Sequence, residues 1–179
     1  RLEQLVDEVL ALLRESSGQQ EMNLHHFDLS ELLEDLVETV NYEIPEDGLH
    51  IELLQTPPMM LDADRELLWR AFENLLRNAM VHSGNRKAIQ IEAKHTSAKD
   101  IQLRVIDSGP GIPENHIGRI FEPFYRVDEA RNRNSGGHGL GLAIAASAIR
   151  RHGGSISASN RQQGGLQILV SLPAGKSGA

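Results

Sequence analysis

The sequence predicts an α+β fold, a two-layer α/β sandwich in which one mixed sheet carries helices on one face, preceded by an N-terminal helix. Three observations lead to this prediction. Apolar residues recur with helical spacing in four segments, and between these segments they alternate with polar residues as in half-buried strands. A long segment rich in glycine, proline and charge, residues 107–138, separates the last strands and helix from the rest. Loops of this length in compact domains are usually functional.

The first 27 residues are predicted to lie outside the main domain. Residues 1–17 form a helix with one apolar stripe, which needs a partner because a lone helix cannot bury it. Residues 18–27 read as a linker because the stretch around Gly18 is polar. The domain itself is predicted to span residues 28–173, and residues 174–179 to form a tail.

Capping signals mark the start of two helices. Asp28 with Glu31 three residues later forms a capping-box-like start, and the helix that follows ends around residues 44–48. A short strand is expected at residues 50–54. Asp62 or Asp64 then caps a second helix with an apolar face.

The second half of the chain predicts four strands and one helix. Residues 87–93 and 101–106 alternate as strands with a turn near residues 97–100. The remaining predicted elements are a helix at 140–152, stopped by Gly153-Gly154, and a hairpin of strands 155–159 and 166–172 around Gly164-Gly165.

Composition excludes several classes of function. The 179 residues are 40% hydrophobic, which is enough for a core, and carry a formal net charge of −7. That charge argues against a nucleic-acid partner, which usually requires a basic face. It does not exclude phosphate ligands, because backbone N–H groups and a metal ion can hold them. Without cysteine there is no disulfide or zinc–thiolate site.

The start of the chain and its hydropathy predict a fragment of a longer protein. The sequence begins with Arg1 rather than Met, and no signal peptide precedes the first helical segment. Its longest apolar runs are far shorter than a membrane helix needs.

Two asparagines and a histidine share one face of the second domain helix. Asn74, Asn78 and His82 are spaced four apart, so they line one stripe. Amides on such a stripe are able to orient phosphate oxygens and to offer Mg²⁺ an oxygen ligand, which the ion prefers. Taken alone, the pair of asparagines is more typical of a solvated helix face.

A carboxylate on a glycine turn ends a predicted strand. Asp107 is followed by Gly109, Gly111 and Ile112. A carboxylate there can accept a hydrogen bond from an adenine amino group, and the glycines allow the backbone to approach the base. The alternative is an ordinary Asp-Ser-Gly turn.

Phe121 and Phe124 are predicted to anchor a mobile lid from about Tyr125 to Gly137. One lid arginine could neutralise a transferring phosphate, and Arg126 is the better candidate. A solvated charged loop is an equally good explanation for Arg131 and Arg133.

A glycine-rich turn opens the last helix. Glycines there free the backbone to wrap around phosphates, and the helix N-terminus favours negative charge. Leu142 stands where a dinucleotide-binding fingerprint needs its third glycine. The candidate ligand-binding residues of this turn are Gly137, His138, Gly139, Leu140, Gly141 and Leu142.

Together, these four segments resemble the ATP-binding catalytic domain of two-component sensor histidine kinases, in the GHKL ATPase superfamily with its Bergerat fold. The resemblance covers roughly residues 28–172 and looks closest to Cpx-type envelope-stress sensors. It implies ATP and Mg²⁺ as cofactors and transfer of the γ-phosphate to a histidine on a two-helix dimerisation module. Residues 1–15 look like the end of that module's second helix, and the acceptor histidine is absent.

The resemblance also implies partners and a location. A response regulator aspartate would receive the phosphate by relay. The complete protein would be a membrane-anchored homodimer in the bacterial inner membrane, with this domain in the cytoplasm.

The roles implied by the resemblance fall on particular residues. Asn78 ligates the metal, Asn74 is its phosphate-side companion, and Asp107 recognises adenine. Arg126 and Asn74 are the candidate catalytic residues. Val81 departs from the pattern, since many relatives carry Lys or Arg there.

The departure at Val81 leaves a phosphate charge to be supplied from elsewhere. Arg77 or a lid arginine would replace that charge, or ATP affinity would be weak. His82, at a position that often carries Tyr, keeps a polar contact.

Two other functions remain open from the sequence. One is a GHKL-type ATPase that hydrolyses ATP to water. Such enzymes usually place a water-activating Glu four residues before the metal-ligating Asn, where this chain has Asn74; Glu73 lies about 100° around the helix. The other is a degenerate nucleotide-binding or interaction module, which Val81 alone supports.

Overall fold

The computed structural model describes Val9 and residues 21–45, 48–54, 57–83, 88–97, 100–127 and 138–174. The helices of this part are α1 (Leu29–Tyr42), α2 (Arg65–Ser83), α3 (Glu114–Ile117) and α4 (Gly141–Arg151). The strands are β1 (Leu24–Asp28), β2 (Ile51–Leu53), β3 (Met60–Asp64), β4 (Ile89–Ser97), β5 (Asp100–Ile106), β6 (Ser155–Asn160) and β7 (Leu166–Pro173). The predicted N-terminal helix lies, except for Val9, outside the described residues.

The main sheet is mixed, as the sequence predicts. Its strand order is β2-β4-β5-β7-β6, with β2 parallel to β4 and the other neighbours antiparallel. In the centre of the sheet, Leu103 pairs with Ala93 on one side and Val170 on the other. All three side chains are buried, so alternate positions along these strands form one continuous apolar face.

Helices α1, α2 and α4 cover that face because each presents a buried apolar stripe to it. Leu75 and Leu76 of α2 are fully buried, as are Ala145 and Ile149 of α4. Burying a leucine side chain contributes roughly 1.5–3 kcal/mol. α2 and α4 also pack against one another. The side of α2 next to its apolar stripe therefore lies close to the beginning of α4.

A second, two-stranded sheet corrects the predicted linker. β1 pairs antiparallel with β3, so residues 24–27 are strand rather than linker. These strands lie 36 residues apart at the His26–Asp62 pair, and the pattern of β1 is too polar to predict a strand. Within the described residues, no helix combines the length and apolar character that crossing a membrane requires.

The structure confirms the predicted cap of α1 and selects one of the two predicted caps of α2. Asp28 caps α1, since its Oδ1 accepts from the N–H of Ser30 at 2.9 Å and that of Met59 at 2.8 Å. Burial acts to raise the pKa of the Asp28 carboxyl, but these hydrogen bonds outweigh it and lower the pKa. For α2 the cap is Asp64, which accepts from the N–H of Leu67, while Asp62 lies in β3 and faces His26.

Candidate functional site

Asp107 forms the most buried polar part of the site. It follows β5 directly and is 4% exposed. Its Oδ1 accepts from the N–H of Gly109 at 2.8 Å and from that of Leu166 at 3.1 Å. Among the described residues no hydrogen bond reaches Oδ2. The carboxylate is thus fixed in direction and keeps an acceptor atom for a ligand donor.

The glycine at position 109 is required by close packing. A Cβ there would lie 2.3 Å from the carbonyl oxygen of His82, at the end of α2. Ser83 next to it accepts from the N–H of Ser108 through its Oγ, at 3.2 Å. The Asp107 turn and the C-terminal end of α2 are therefore in backbone contact, and this contact leaves no room for a side chain.

Asn160, at the end of β6, holds the second half of the turn. Gly111 has a φ of 76°, and a Cβ on it would lie 2.6 Å from Oδ1 of Asn160. That oxygen accepts from the N–H of Ile112 at 2.9 Å, and Nδ2 of Asn160 donates to the carbonyl of Ile112 at 2.6 Å. The side-chain amide of Asn160 thus forms the pair of backbone hydrogen bonds that a neighbouring strand would otherwise offer to the turn.

The hairpin between β6 and β7 also belongs to the site. Gly165 has a φ of 92°, and a Cβ on it would lie 2.1 Å from the carbonyl oxygen of Asp107. Arg161 donates to the same oxygen at 3.3 Å. The sequence analysis missed Asn160, Arg161 and Gly165 as site residues. The glycine pair was their only signal, and it predicts a turn without saying what the turn contacts.

Asn74 and Asn78 lie on the stripe of α2 that faces the start of α4. Nδ2 of Asn74 donates to the carbonyl of Arg70 at 2.9 Å, and its Oδ1 would lie 2.9 Å from a Cβ on Gly141. The amide of Asn74 therefore adjoins the first turn of α4, whose N–H groups have no partner within the helix. Asn78 is half-buried and forms no hydrogen bond within the described part of the chain.

His82 lies within the electrostatic reach of two charged residues, Asp107 and Arg126. Its ring retains an exposed surface, but the surrounding protein atoms exclude enough water to lower the pKa. Asp107 acts to raise that pKa and Arg126 to lower it. Both charges are therefore near enough to act on the ring, and the structure brings Arg126 to the same side as the predicted pocket.

The phenylalanine segment and the glycine-rich turn are joined through their backbones. The N–H of Phe124 donates to the carbonyl of Gly139 at 2.9 Å. Gly139 has a φ of 73°, and a Cβ on it would lie 2.9 Å from the carbonyl carbon of Phe124. Phe124 itself has a φ of 64°, which is strained for a side chain of this size, and it is 60% exposed.

The other residues predicted in the glycine-rich turn have different surroundings. Leu140 is fully buried, and Gly141 and Leu142 begin α4. His138 is half-buried. Gly137, with residues 128–136 of the predicted lid, lies outside the described residues.

Arg77, one of the predicted replacements for the missing charge at Val81, is paired with two carboxylates in the structure. Its Nη2 lies 2.7 Å from Oε1 of Glu73 and 3.2 Å from Oε2 of Glu43. Burial acts to lower the pKa of Arg77, but the two carboxylates outweigh it and raise the pKa. To replace the missing charge at Val81, Arg77 would have to leave both carboxylates. These ion pairs form because one turn of helix places Glu73 beside Arg77, and the C-terminal end of α1 brings Glu43 to the same face.

The donor set fits a magnesium ion that comes with a phosphate ligand. The part of the chain that the structure describes has no group of three or more His, Cys, Asp or Glu side chains able to hold a metal. Asn78 offers one amide oxygen. Magnesium binds through few protein ligands when phosphate oxygens and water complete its shell.

Comparison with known proteins points to one family. Residues 63–176 match the family model described as histidine kinase-, DNA gyrase B-, and HSP90-like ATPase. The chain is 33% identical over 172 residues to the signal transduction histidine-protein kinase BaeS of Escherichia coli (strain K12), covering 96% of this chain and 37% of BaeS. It is 34% identical over 177 residues to the sensor histidine kinase CpxA of the same organism, covering 97% of this chain and 37% of CpxA.

Solved structures agree with the sequence relatives. Full-length ShkA in complex with AMPPNP superposes with a TM-score of 0.84 at 26% identity, covering 99% of this chain and 37% of ShkA. The histidine kinase ThkA in complex with response regulator protein TrrA superposes with a TM-score of 0.78 at 26% identity, covering 97% of this chain and 48% of ThkA. The chain thus spans little more than a third of the length of BaeS and CpxA.

Proposed function

The chain belongs to the family of histidine kinase-, DNA gyrase B- and HSP90-like ATPases, and we propose that it binds Mg²⁺-ATP and transfers the γ-phosphate to a histidine on a separate dimerisation module. Within that family, its sequence and fold are those of the ATP-binding catalytic domain of sensor histidine kinases. The proposal concerns what this site binds and where the phosphate goes.

The environment of Asp107 is the observation that carries the proposal. A buried carboxylate is costly unless it is hydrogen-bonded, and here backbone N–H groups of two separate elements hold one oxygen. The other oxygen accepts from the exocyclic amino group of adenine. Gly109 and Gly111 leave the turn without side chains on the side where the flat base approaches.

The phosphates bind at the other end, between α2 and the start of α4. Asn78 ligates Mg²⁺ through its amide oxygen, and Asn74 orients phosphate oxygens beside Gly141. The backbone N–H groups of the first turn of α4 and the charge of Arg126 stabilise the phosphoryl group. The metal neutralises charge on the phosphates when it is bound.

Transfer to a histidine is favoured over hydrolysis because, within the described ranges, no acidic residue lies at the expected position of a water-activating base. Glu73, the acidic residue nearest the expected position of such a base, forms an ion pair with Arg77. In the transfer, the bond between the γ-phosphorus of ATP and the oxygen that bridges it to the β-phosphate breaks. A P–N bond forms between the γ-phosphorus and the imidazole. ADP is the leaving group.

The partners follow from the same assignment. The phosphohistidine is relayed to an aspartate of a response regulator, a role supported by the superposition on a kinase in complex with such a regulator. The acceptor histidine lies on a dimerisation module, so the complete kinase works as a homodimer. The domain works on the cytoplasmic side of the bacterial inner membrane, as part of a membrane-anchored sensor.

The test is a calorimetric titration of this chain with ATP and ADP, with and without Mg²⁺, beside an assay of ATP turnover. We expect micromolar-range binding that Mg²⁺ tightens for ATP, with negligible release of inorganic phosphate. Addition of a histidine-bearing dimerisation module from a related kinase then yields acid-labile, base-stable phosphoprotein.

Other outcomes separate the alternatives. Rapid release of inorganic phosphate from ATP without an acceptor would identify a hydrolase instead. Lack of binding by either nucleotide would identify a degenerate module, in which Val81, 53% exposed on α2, reflects the loss of a phosphate ligand.

A further inference from the structure

Tyr125 is held by side chains on two sides. Its hydroxyl group is hydrogen-bonded to Nδ1 of His116, and the two rings lie 6.0 Å apart between centroids. The guanidinium of Arg119 lies over the face of the tyrosine ring, 4.3 Å from its centroid. Glu122 fixes that guanidinium through an ion pair of 3.1 Å. Both contacts come from one short stretch, α3 and the turn after it.

The backbone around Tyr125 is held as well. Its N–H donates to the carbonyl of Glu122 at 3.2 Å. A Cβ on Gly139 would lie 3.0 Å from its carbonyl oxygen, so the glycine-rich turn packs directly on this peptide. Side chain and backbone together leave Tyr125 with one orientation. The peptide that enters Arg126 is therefore also fixed.

This arrangement connects the two ends of the site. Asn160 binds the backbone of Ile112, and its Nδ2 donates to Glu114 at the start of α3, 3.0 Å away. α3 carries His116, and the following turn carries Arg119. A continuous series of hydrogen bonds and packing contacts thus runs from the Asp107 turn to Arg126.

We propose that Tyr125 is a positioning residue that directs Arg126 to the terminal phosphate of ATP, and that His116 and Arg119 hold Tyr125 in place for this role. The inference rests on the proposed function and deepens it. A cation on a flexible side chain stabilises a phosphoryl group only if its backbone holds it in reach, because ordering it at the moment of binding costs affinity. The signature of such a role is specific to the γ-phosphate. Recognition of the base and of ADP does not depend on it.

The experiment compares Kd for ATP and for ADP, both with Mg²⁺ at fixed ionic strength, in five proteins: the unchanged chain, Y125F, R126A, the double variant Y125F/R126A, and Y42F. Tyr42 is the only other tyrosine in the chain and is 92% exposed, so Y42F is the matched control for loss of a phenol hydroxyl. Loss of one hydrogen bond predicts about three- to tenfold weaker ATP binding in Y125F, with ADP binding unchanged. Y42F leaves both constants unchanged.

The double variant decides between positioning and a separate role. If Tyr125 acts through Arg126, ATP affinity in Y125F/R126A equals that of R126A, since coupled residues are not additive. A second pair of variants, R119K and R119Q, tests the contact between the cation and the tyrosine ring. R119K retains the charge and should keep ATP affinity closer to that of the unchanged chain than R119Q does. This pair keeps the test valid if Y125F unfolds.

Three results would overturn the inference. Equal weakening of ATP and ADP in Y125F would make Tyr125 a general structural residue. Multiplying effects in the double variant would mean that Tyr125 and Arg126 act independently. Unchanged ATP affinity in R126A would remove the residue that is being positioned. All three leave ATP binding by the unchanged chain intact, whereas failure of the proposed function abolishes it.

Discussion

At the proposed base end of the site, Asp107 is buried, and backbone N–H groups of Gly109 and Leu166 hold its carboxylate. At the proposed phosphate end, Asn78 is half-buried and forms no hydrogen bond within the described residues. Three chain segments meet at the base end: the end of α2, the turn after β5 and the hairpin between β6 and β7. The phosphate end is formed by side chains of α2 and by the first turn of α4.

The difference indicates two ways of preparing a site for a ligand. The base end is complete before the ligand binds, because backbone groups that cannot move independently fix the acceptor. The phosphate end leaves polar groups for the ligand and its metal to satisfy. Changes that disturb the backbone contacts of the base end should therefore cost both stability and affinity, whereas changes at the phosphate end should cost affinity for phosphates alone.

The largest expected effect is that of Gly165→Ala. The new Cβ would collide with the carbonyl of Asp107, 2.1 Å away, at a φ of 92°. We expect a loss of about 4 kcal/mol in the free energy of unfolding, from left-handed strain and overpacking together. Urea denaturation measures it, and adenosine binding should be lost in parallel.

Gly164→Ala is the matched control. It has a similar φ of 87°, but a Cβ there would lie 3.9 Å from the nearest atom, the carbonyl oxygen of Gly109. This substitution should lower the free energy of unfolding only by the backbone strain of a left-handed φ, about 1–2 kcal/mol. Equal losses in the two variants would show that the hairpin does not support the base end.

The next effect is that of Asp107→Asn on affinity. An amide keeps the size of the side chain and an acceptor oxygen for Gly109 and Leu166, but it presents an N–H to the adenine amino group. Two donors facing each other and a lost charge-assisted hydrogen bond predict about hundredfold weaker ATP binding. Calorimetry with ATP and with adenosine measures this change.

Adenosine separates the contribution of Asp107 from that of the phosphates. It should lose as much affinity as ATP in this variant, while the thermal midpoint stays close to that of the unchanged chain. Unaltered nucleotide affinity would refute the assignment of Asp107 to the base.

Asn78→Ala should show the opposite selectivity. Its amide has no hydrogen-bond partner to lose within the described residues, so stability should be unchanged. Loss of one metal ligand predicts about tenfold weaker Mg²⁺-ATP binding and no change for adenosine. The measurement is the ATP affinity over a Mg²⁺ series. Undiminished tightening by Mg²⁺ would show that Asn78 is not the ligand.

The smallest effect concerns the contact between the C-terminal end of α4 and the N-terminal end of α2. Nδ1 of His152 lies 2.7 Å from the carbonyl of Ala148, and its Nε2 accepts from the N–H of Asp64 at 3.0 Å. The ring thus joins the end of α4 to the cap of α2 and must be neutral to accept. Burial lowers the pKa of His152 below 6.5, and of its charged neighbours Asp64 opposes this while Arg151 adds to it.

The lowered pKa predicts a specific pH dependence. As the pH falls below about 6.5, the unfolded chain binds a proton that the folded ring resists, so the free energy of unfolding decreases until the folded ring is itself protonated. Hydrogen exchange should rise in α2 and α4 before it rises in β5. His152→Gln should reduce the slope of the free energy of unfolding against pH. Because the pKa of His82 is lowered too, both measurements belong in a His82→Asn background.

Periodicity predicted the elements that pack on a continuous apolar face. The helix from Asp28, the helix of Asn74 and Asn78, and the strand ending before Asp107 lie where their patterns place them. β1 and β3 did not follow from pattern, because they are short, largely polar and stabilised by pairing with each other.

The residues of the site likewise divide into those that local spacing predicts and those that depend on distant parts of the chain. The motifs on α2, after β5 and before α4 place Asn78, Asp107 and Gly141, because local spacing puts polar groups on a helix stripe or a glycine turn. Arg77 is one helical position from Asn78, yet its direction depends on Glu43, the residue that follows α1, which spacing along α2 cannot show.

By itself, the sequence determined the alternation of helices and strands, the capped start of α1, and the local chemistry of each motif, since these depend on neighbours a few positions away. Only the tertiary structure decided that Asn160 and Gly165 close the base end, because strand order places β7 beside β5 and β6 beyond it. It also decided that Tyr125 lies under Arg119 and that His152 joins two helices. These contacts join residues whose separation along the chain carries no periodic signal, so packing alone brings them together.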